Sequence, residues 1–303
     1  MRPKVLLGAK GVVTPLLLTF CFSGVSGAAH TPFMSGAVQP VRNPNGSIAH
    51  NSKNQVYTTN WSGYAVAKYA TGSSYTSATA SWVVPTVAAV PGFATSYSSS
   101  WVGIGGFCLN SGCTRVDKTL IQLGTEQDAS SSGSTYYAWY ETLPQAMTPI
   151  KTMTINPGDT IVASLADGPK AAQTNTKAKG GGGKAGGGGG SKAQTWVLTL
   201  TDNTTGGSWS TTLSYASSLA SAEWIEEAPY SGGVLPLADF GTATFDPGTA
   251  NGSNPSLTSS NGIVMSNPNG QTSNVSVPDS DTDGFNACWG SGSSYTSCAS
   301  PTS

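Results

Sequence analysis

Short runs of β-branched and aromatic residues, separated by turn signals, are the feature that most constrains how this chain can fold. Such runs span residues 77–84, 99–104, 118–124, 136–141, 160–165, 195–201 and 208–213. Asn156-Pro157-Gly158 and the segment 203–207 are typical of turns between strands. No stretch keeps the 3.6-residue period of an amphipathic helix. Many short strands with alternating polar faces predict an all-β protein built as an antiparallel β-sandwich.

The N-terminus divides the chain into three parts. Arg2 and Lys4 precede an apolar region that ends in small residues near Ala28, which predicts a secretory signal peptide at residues 1–28. No uninterrupted apolar run reaches the length of a membrane span, so a membrane anchor is disfavoured. Residues 29–55 are polar and predict a propeptide or a disordered arm. We expect the folded domain at 56–303, in a secreted, extracellular protein without membrane association once the signal is removed.

Histidine content limits the possible chemistry. His30 and His50 are the two histidines of the chain, and both precede residue 56. If that portion is removed, a Ser–His–Asp triad, a Cys–His pair and a His-ligated zinc are excluded. We therefore expect chemistry by carboxylates, amides and hydroxyls, with no cofactor and no metal.

The charge balance limits the partners. All 15 acidic residues but only nine of the 14 basic residues lie beyond residue 55, which leaves a net charge of −6 there. That sign disfavours nucleic-acid binding. We expect a monomer that acts on protein or peptide substrates.

The spacing of the cysteines predicts disulfides, and one glycine-rich segment predicts a loop. Cys108 with Cys113, and Cys288 with Cys298, predict two short-loop disulfides, the second stapling a C-terminal tail. A zinc site of four thiolates is the disfavoured alternative, because the pairs lack CxxC spacing. The Gly/Lys-rich segment at about 168–194 predicts a flexible loop, with a partner-binding role as the alternative.

Three carboxylates crowd into the segment 221–230, Ser-Ala-Glu-Trp-Ile-Glu-Glu-Ala-Pro-Tyr. As a strand, it directs Glu223 and Glu227 to one face and Trp224 and Glu226 to the other. A structural sheet has little use for carboxylates on both faces, whereas a catalytic cleft can use one of them.

Two other strands carry polar residues among apolar ones. Gln122 lies mid-strand between large apolar residues, where a buried amide must satisfy both its ends. Taken alone, it is more often a structural amide than a catalytic one. Tyr137, Trp139 and Glu141 share a face that is both aromatic and acidic, as in a binding groove, although aromatic stripes are more often core.

Five sequence blocks in order resemble the glutamic peptidases, the eqolisin family. The blocks are Asn-Trp-Ser-Gly-Tyr at 60–64, Ser-Trp-Val-Gly-Ile-Gly at 100–105, Leu-Ile-Gln-Leu-Gly at 120–124, Tyr-Ala-Trp-Tyr-Glu at 137–141 and Ala-Glu-Trp-Ile-Glu-Glu at 222–227. The resemblance covers roughly residues 57–247. It implies a sandwich of two large antiparallel sheets with lectin-like, jelly-roll architecture, and a catalytic glutamine and glutamate.

Motif by motif, the resemblance implies Gln122 and Glu227 as the catalytic pair. Glu226 then falls at the variable position of the motif and Glu223 at its earlier acidic position. It also implies a substrate groove lined by Trp61, Trp101, Glu126, Trp139 and Glu141. The chain departs from fungal members of the family, which carry Asp at the positions of Gly105 and Glu126.

The implied activity is that of a secreted, acid-acting endopeptidase without metal or covalent intermediate. Glu227 would take a proton from water and return it to the departing amine, while Gln122 holds the water and stabilises the oxyanion. Residues 29–55 could mask the cleft at neutral pH through His50 or Lys53.

Two alternatives stay open from the sequence. A β-sandwich glycoside hydrolase would use two carboxylates such as Glu141 and Glu227. A carbohydrate-binding sandwich would stack sugars on Trp61, Trp101 and Trp139.

Overall fold

The computed structural model describes residues 36–168, 193–292 and 297–302, apart from the side chain of Ser291. The predicted signal peptide at 1–28 lies outside the described residues. So do residues 29–35 of the expected arm and the interior of the glycine-rich loop, 169–192.

The described residues form an almost entirely β protein. Its strands are β1 Val56–Thr58, β2 Trp61–Ala67, β3 Ser77–Val83, β4 Thr95–Gly105, β5 Leu120–Ser130, β6 Gly133–Thr142, β7 Thr148–Pro149, β8 Thr160–Asp167, β9 Gln194–Asp202, β10 Ser208–Tyr215, β11 Ser221–Glu227, β12 Thr242–Ala250, β13 Gly262–Ser266, β14 Gln271–Val275 and β15 Phe285–Ser291. One short helix, α1 Lys68–Thr71, and one 3-10 turn, Ser259–Asn261, interrupt them.

Hydrogen bonds link the strands into one continuous ribbon. Its order is β10-β9-β8-β3-β12-β15-β14-β13-β2-β11-β4-β5-β6-β7, with β1 paired to β13. Pairing is antiparallel along the ribbon, and β1 joins β13 in parallel. Strands that are not hydrogen-bonded neighbours also touch, including β5 with β8 and β11 with β3, so the ribbon folds over itself into two layers. The predicted antiparallel β-sandwich is confirmed.

Burial differs between the two layers. β3, β8 and β9 alternate buried and half-buried residues, as expected when one face meets the core and the other meets water. β2, β4, β5 and β11 are buried at nearly every position. Their inner face contributes to the main core between the layers, around Trp82, Trp196 and Trp224. Their other face is covered by a second apolar cluster around Trp61, Trp101 and Trp139, and this face holds the site described below.

Residues 36–55 are folded onto this domain and are not a disordered arm. Bridges join Pro40 to Thr58, Arg42 to Ile48 and His50 to Val56. The side chains of Val38, Ile48 and Val56 are buried in the second apolar cluster. Two apolar side chains of the segment, Val38 and Ile48, and its backbone hydrogen bonds order a stretch whose polar composition predicted no structure. The folded domain therefore begins by residue 36, and removal of this segment as a propeptide stays a prediction.

The two disulfides predicted from spacing are present, Cys108–Cys113 and Cys288–Cys298, so the four-thiolate zinc alternative is wrong. The stapled C-terminal segment is not an appendage, because Cys288 lies in β15, between β12 and β14 in the ribbon.

The glycine-rich segment joins β8 to β9, which are antiparallel neighbours. Within the described part of the chain, no helix is both long and apolar enough to cross a membrane.

Candidate active site

Strand register arranges the predicted site residues in rows across β6, β5, β4, β11 and β2. The first row is Glu141, Gln122, Gly103, Glu223 and Ala65; the second is Trp139, Gly124, Trp101, Ile225 and Gly63; the third is Tyr137, Glu126, Ser99, Glu227 and Trp61. Successive rows lie two residues apart along each strand, so all three share one face of the layer. Every residue predicted for the site therefore lies on this face.

The first row brings Gln122 and Glu223 together across a gap. Gly103 stands between them and has no side chain, so the two residues face each other from strands about 10 Å apart. A Cβ atom at position 103 would lie 3.2 Å from the Cβ of Gln122 and 2.9 Å from the Trp101 ring. The glycine is therefore what keeps the space between Gln122 and Glu223 open.

The two residues that border this gap carry polar atoms without hydrogen-bond partners among the described residues. Gln122 Nε2 donates a hydrogen bond to Glu141 Oε2 at 2.6 Å, which fixes the amide orientation. Gln122 Oε1 and both carboxyl oxygens of Glu223 are buried and have no hydrogen-bond partner among the described residues. Buried polar atoms are costly unless they are hydrogen-bonded, and such exceptions often mark a functional site. A water molecule bound between Gln122 and Glu223 could donate hydrogen bonds to these acceptor oxygens.

Burial dominates the protonation of Glu223. Removal from water raises the pKa of this carboxyl well above its usual value, the nearby Ser221 hydroxyl opposes the shift, and the negative charge of Asp117 adds to it. Charged forms are disfavoured in such an environment. The group therefore holds a proton more tightly than an exposed glutamate does.

Glu227 lies elsewhere on the same face. Trp101 Nε1 donates to its Oε2 at 2.8 Å, and Gly36 N and Asn60 Nδ2 donate to its Oε1 at 3.2 and 3.4 Å. It is four residues along β11 from Glu223, roughly 13 Å at the rise of an extended strand. The register thus brings Gln122 together with Glu141 and Glu223, and does not bring it to Glu227.

Two further carboxyls extend the acidic part of the face. Glu126 is fully buried in the third row, and burial, followed by the charge of Asp128, raises its pKa well above the usual range. Burial raises the pKa of Asp128 to about 7, against a hydrogen bond with Glu126 that lowers it. Neighbouring buried carboxyls of this kind cannot all ionise together.

The tryptophans form the apolar wall of the site. Trp61, Trp101 and Trp139 are fully buried, and Trp61 meets Trp101 edge to face with ring centroids 4.9 Å apart. Their indole N–H groups all donate hydrogen bonds: Trp101 to Glu227, Trp139 to the Ser99 hydroxyl at 3.1 Å and Trp61 to the Gly36 carbonyl at 3.1 Å. They are therefore held in fixed positions.

Residues 36–38 cross the Glu227 end of this face. Gly36 contacts both Glu227 and Trp61, and the backbone N–H of Val38 donates to the Gly106 carbonyl at 3.0 Å. His50 and Lys53 are exposed. The arm thus reaches the site through its backbone at Gly36.

Sequence reasoning missed two residues of this geometry, Gly103 and Asn60. A glycine inside a strand signals a close approach or an opening, so Gly103 could have been found. Asn60 is buried, and its amide contacts Glu227 and the arm backbone at Gln39. The pattern of β2 alone gives no signal for that contact.

Comparisons with known proteins identify the family and the fold of the chain. Residues 59–177 and 190–285, most of the chain, match the peptidase A4 family. Aspergillopepsin-2 of Aspergillus niger is 25% identical over 255 residues, which cover 78% of each chain. Scytalido-glutamic peptidase, solved with a transition state analog inhibitor, aligns with a TM-score of 0.53 and 21% identity over 76% of this chain and 98% of that one, and so shares its fold.

Proposed function

The chain belongs to the peptidase A4 family of glutamic peptidases, and from that premise we propose a secreted, acid-acting endopeptidase with Gln122 and Glu223 as its catalytic pair. It would act as a monomer on protein or peptide substrates. The observation that carries the assignment is the first row, where the unpartnered amide oxygen of Gln122 and carboxyl of Glu223 flank the gap at Gly103.

The mechanism follows from what each group can offer a water molecule in that gap. Glu223, as carboxylate, takes a proton from the water as its oxygen attacks the peptide carbonyl, and then returns the proton to the departing amine. Gln122 Oε1 accepts the other proton of the water in a hydrogen bond. One N–H of the Gln122 amide is held by Glu141, which leaves the second N–H free to donate to the oxyanion.

Buried carboxyls on this face bear on the pH range. Only the ionised form of Glu223 can take a proton from water, so its raised pKa places the expected activity optimum at the upper end of the acid range. Glu126 and Asp128 also titrate well above ordinary carboxyls, so an acidic medium keeps the negative charge on this face low.

Glu227 has a different role in this proposal. Its oxygens are occupied by three N–H donors, and one of them, Gly36 N, belongs to the arm. We assign it to fixing Trp101 and the arm beside the groove, with Trp61, Glu126, Trp139 and Glu141 as further groove residues.

The glycoside hydrolase and carbohydrate-binding alternatives are set aside. Glu141 and Glu227 lie in different rows, and Glu141 accepts a hydrogen bond from Gln122. Membership of a peptidase family disfavours both.

The decisive experiment compares two isosteric variants of one strand face, Glu223→Gln and Glu227→Gln. At acid pH, Glu223→Gln is expected to lower kcat/KM on casein by about 10³-fold or more, as loss of a general acid–base group does. Glu227→Gln is expected to keep activity within about tenfold, because the amide can still bind neighbouring N–H groups through its oxygen. Circular dichroism checks that both variants are folded. The opposite ranking, with Glu227→Gln inactive and Glu223→Gln active, would overturn the assignment.

The arm gives this site a further proposed property. Since residues 36–38 lie over the Glu227 end of the face, we infer that the groove opens fully only when this segment moves or is cut. Acid proteolysis by the full chain should then increase after limited cleavage within 29–55. Equal kcat/KM for cut and uncut protein at acid pH contradicts masking by the arm, and leaves the catalytic pair untouched.

A further inference from the structure

A second group of carboxylates lies between β14 and β15, away from the residues of the peptidase site in the ribbon order. Residues 279–284 read Asp-Ser-Asp-Thr-Asp-Gly. This spacing, Asp-x-Asp-x-Asp-Gly, is the first half of a calcium-binding loop, in which alternate carboxylates point at one ion and the glycine permits a sharp turn. The glutamate that would complete such a loop at its twelfth position is missing, because residue 290 is glycine.

Asp246 of β12 supplies the missing carboxylate from another strand. Carboxylate oxygens of Asp246, Asp279 and Asp283 all lie within 4.8 Å of one another. Calcium binds oxygen ligands at about 2.3–2.6 Å, so two ligands of one ion lie at most about 5 Å apart. The three side chains can therefore reach a single calcium ion without rearrangement of the backbone.

Buried oxygens aimed into this group provide a second observation. Asp279 is only 6% exposed, and its Oδ2 is buried without a hydrogen-bond partner among the described residues, as is Asp283 Oδ1. The other oxygen of Asp279, Oδ1, accepts a hydrogen bond from the Asp283 backbone N–H at 3.2 Å, which holds the side chain in place. A Cβ at Gly284 would touch Asp279 Oδ2 and lie 2.8 Å from Asp246 Cγ, so these two side chains converge over this glycine.

The charge of the group is uncompensated within the described residues. No lysine or arginine of that part of the chain forms a salt bridge with Asp246, Asp279, Asp281 or Asp283, and Asp281 adds a fourth negative charge nearby. Like charges this close repel one another, and a bound cation would relieve that repulsion.

We propose that Asp246, Asp279 and Asp283 bind one calcium ion, which ties the β14–β15 loop to β12. The donor set is oxygen only, which suits a hard cation and not zinc or copper. The ion would stabilise the folded chain by holding these two segments together.

Titration of CaCl₂ into the purified, EDTA-stripped full chain tests this site, with calorimetry and thermal unfolding as readouts independent of peptidase activity. We expect one binding event near neutral pH, with Kd of about 10⁻⁵ to 10⁻³ M. At about 5 mM calcium, Tm should rise by about 5 °C, and excess EDTA should reverse the rise. Asp283→Asn should abolish the rise, whereas Asp167→Asn, an exposed aspartate at the end of β8, should keep it.

Three results would overturn the proposal. One is the absence of binding heat and of any Tm shift in the unmodified chain, which needs no variant to fold. Another is an undiminished shift in Asp283→Asn. An equal response to MgCl₂ at the same concentration would overturn the choice of calcium.

Discussion

The two faces of β11 hold the same residue type in different settings. On the face that carries the three rows, called the groove face, Glu223 lies in a row with Gln122 and Gly103, and its carboxyl oxygens have no hydrogen-bond partner among the described residues. On the inner face, Glu226 lies between the layers, where the Ser100 hydroxyl donates to its Oε2 at 2.5 Å. Burial raises the pKa of Glu226 to about 7, and hydrogen bonds from Ser100 and Ser98 oppose the shift.

Under the proposed assignment, the neighbours of a carboxyl in its row, and not its burial or residue type, distinguish the catalytic carboxyl from the structural one. Both glutamates are fully buried, and both have a raised pKa. Only Glu223 faces an amide oxygen across an opening. This difference between the faces can be tested by substituting residues of the same type on each of them.

The largest expected effect comes from the two glutamines of β5. Gln122 belongs to the groove face, whereas Gln127 lies on the inner face, where it accepts from Ser98 and donates to Thr125. Gln122→Ala should lower kcat/KM by about 10³-fold with little loss of stability, because the oxyanion donor and the water acceptor are lost together. Gln127→Ala should leave kcat/KM of the folded enzyme unchanged and lower stability by about 1–3 kcal/mol. Casein hydrolysis measures the loss of activity, and urea unfolding measures the loss of stability. An equal loss of activity in both variants would contradict the proposed difference between the two faces.

Closing the gap in the first row should have the next largest effect. Gly103→Ala places a Cβ within 3.2 Å of Gln122 and 3.1 Å of Leu120, in the space proposed for water. We expect kcat/KM to fall by about 10- to 100-fold, since displacements of about 1 Å cost that much at a reacting centre. Gly112→Ala is the matched control, because its Cβ would meet nothing closer than 3.7 Å. An unaffected kcat/KM in Gly103→Ala would mean that the opening is not where water is held.

The inner face should control the pH dependence of stability. The folded-state pKa of Glu226, about 7, is higher than that of an unfolded glutamate, about 4.3, so folding favours the protonated form. Its stabilising contribution is complete below about pH 4 and is lost as the pH rises through about 7, by on the order of 3 kcal/mol. Glu226→Gln should therefore flatten the fall in unfolding free energy between about pH 4 and 8 and leave acid activity unchanged. Parallel pH–stability curves for the two proteins would rule out this role.

The sequence predicted the elements of this site better than their assembly. Local alternation was enough to predict the strands and to place Glu223 and Glu227 on one face of β11, opposite Glu226. The alternation of side chains along one strand does not tell which of these two glutamates lies near Gln122. That depends on the register of β5 with β4 and of β4 with β11, which is set by contacts between distant segments.

The remaining differences have the same physical origin. The segment 36–55 is polar, yet Val38 and Ile48 reach an apolar cluster formed by residues far along the chain. The Asp-x-Asp-x-Asp-Gly spacing is visible in the sequence, but its partner Asp246 is brought in by the pairing of β12 with β15. Short-range patterns identified candidate residues, and long-range pairing decided which of them meet.

The smallest expected effect concerns the Glu227 end of the groove face. Trp101→Phe removes the indole N–H that donates to Glu227 and keeps most of the apolar contact with Trp61. Because Glu227 still accepts from Gly36 and Asn60, its side chain should stay in place, and kcat/KM should fall by only about two- to tenfold. A peptide-substrate assay should show this loss mainly in KM, since the indole N–H that is removed donates to Glu227 and to neither Gln122 nor Glu223. If Trp101→Phe instead matched Gln122→Ala in its loss of kcat, Glu227 would belong to the catalytic machinery, and the two ends of the groove face would have to be treated as one site.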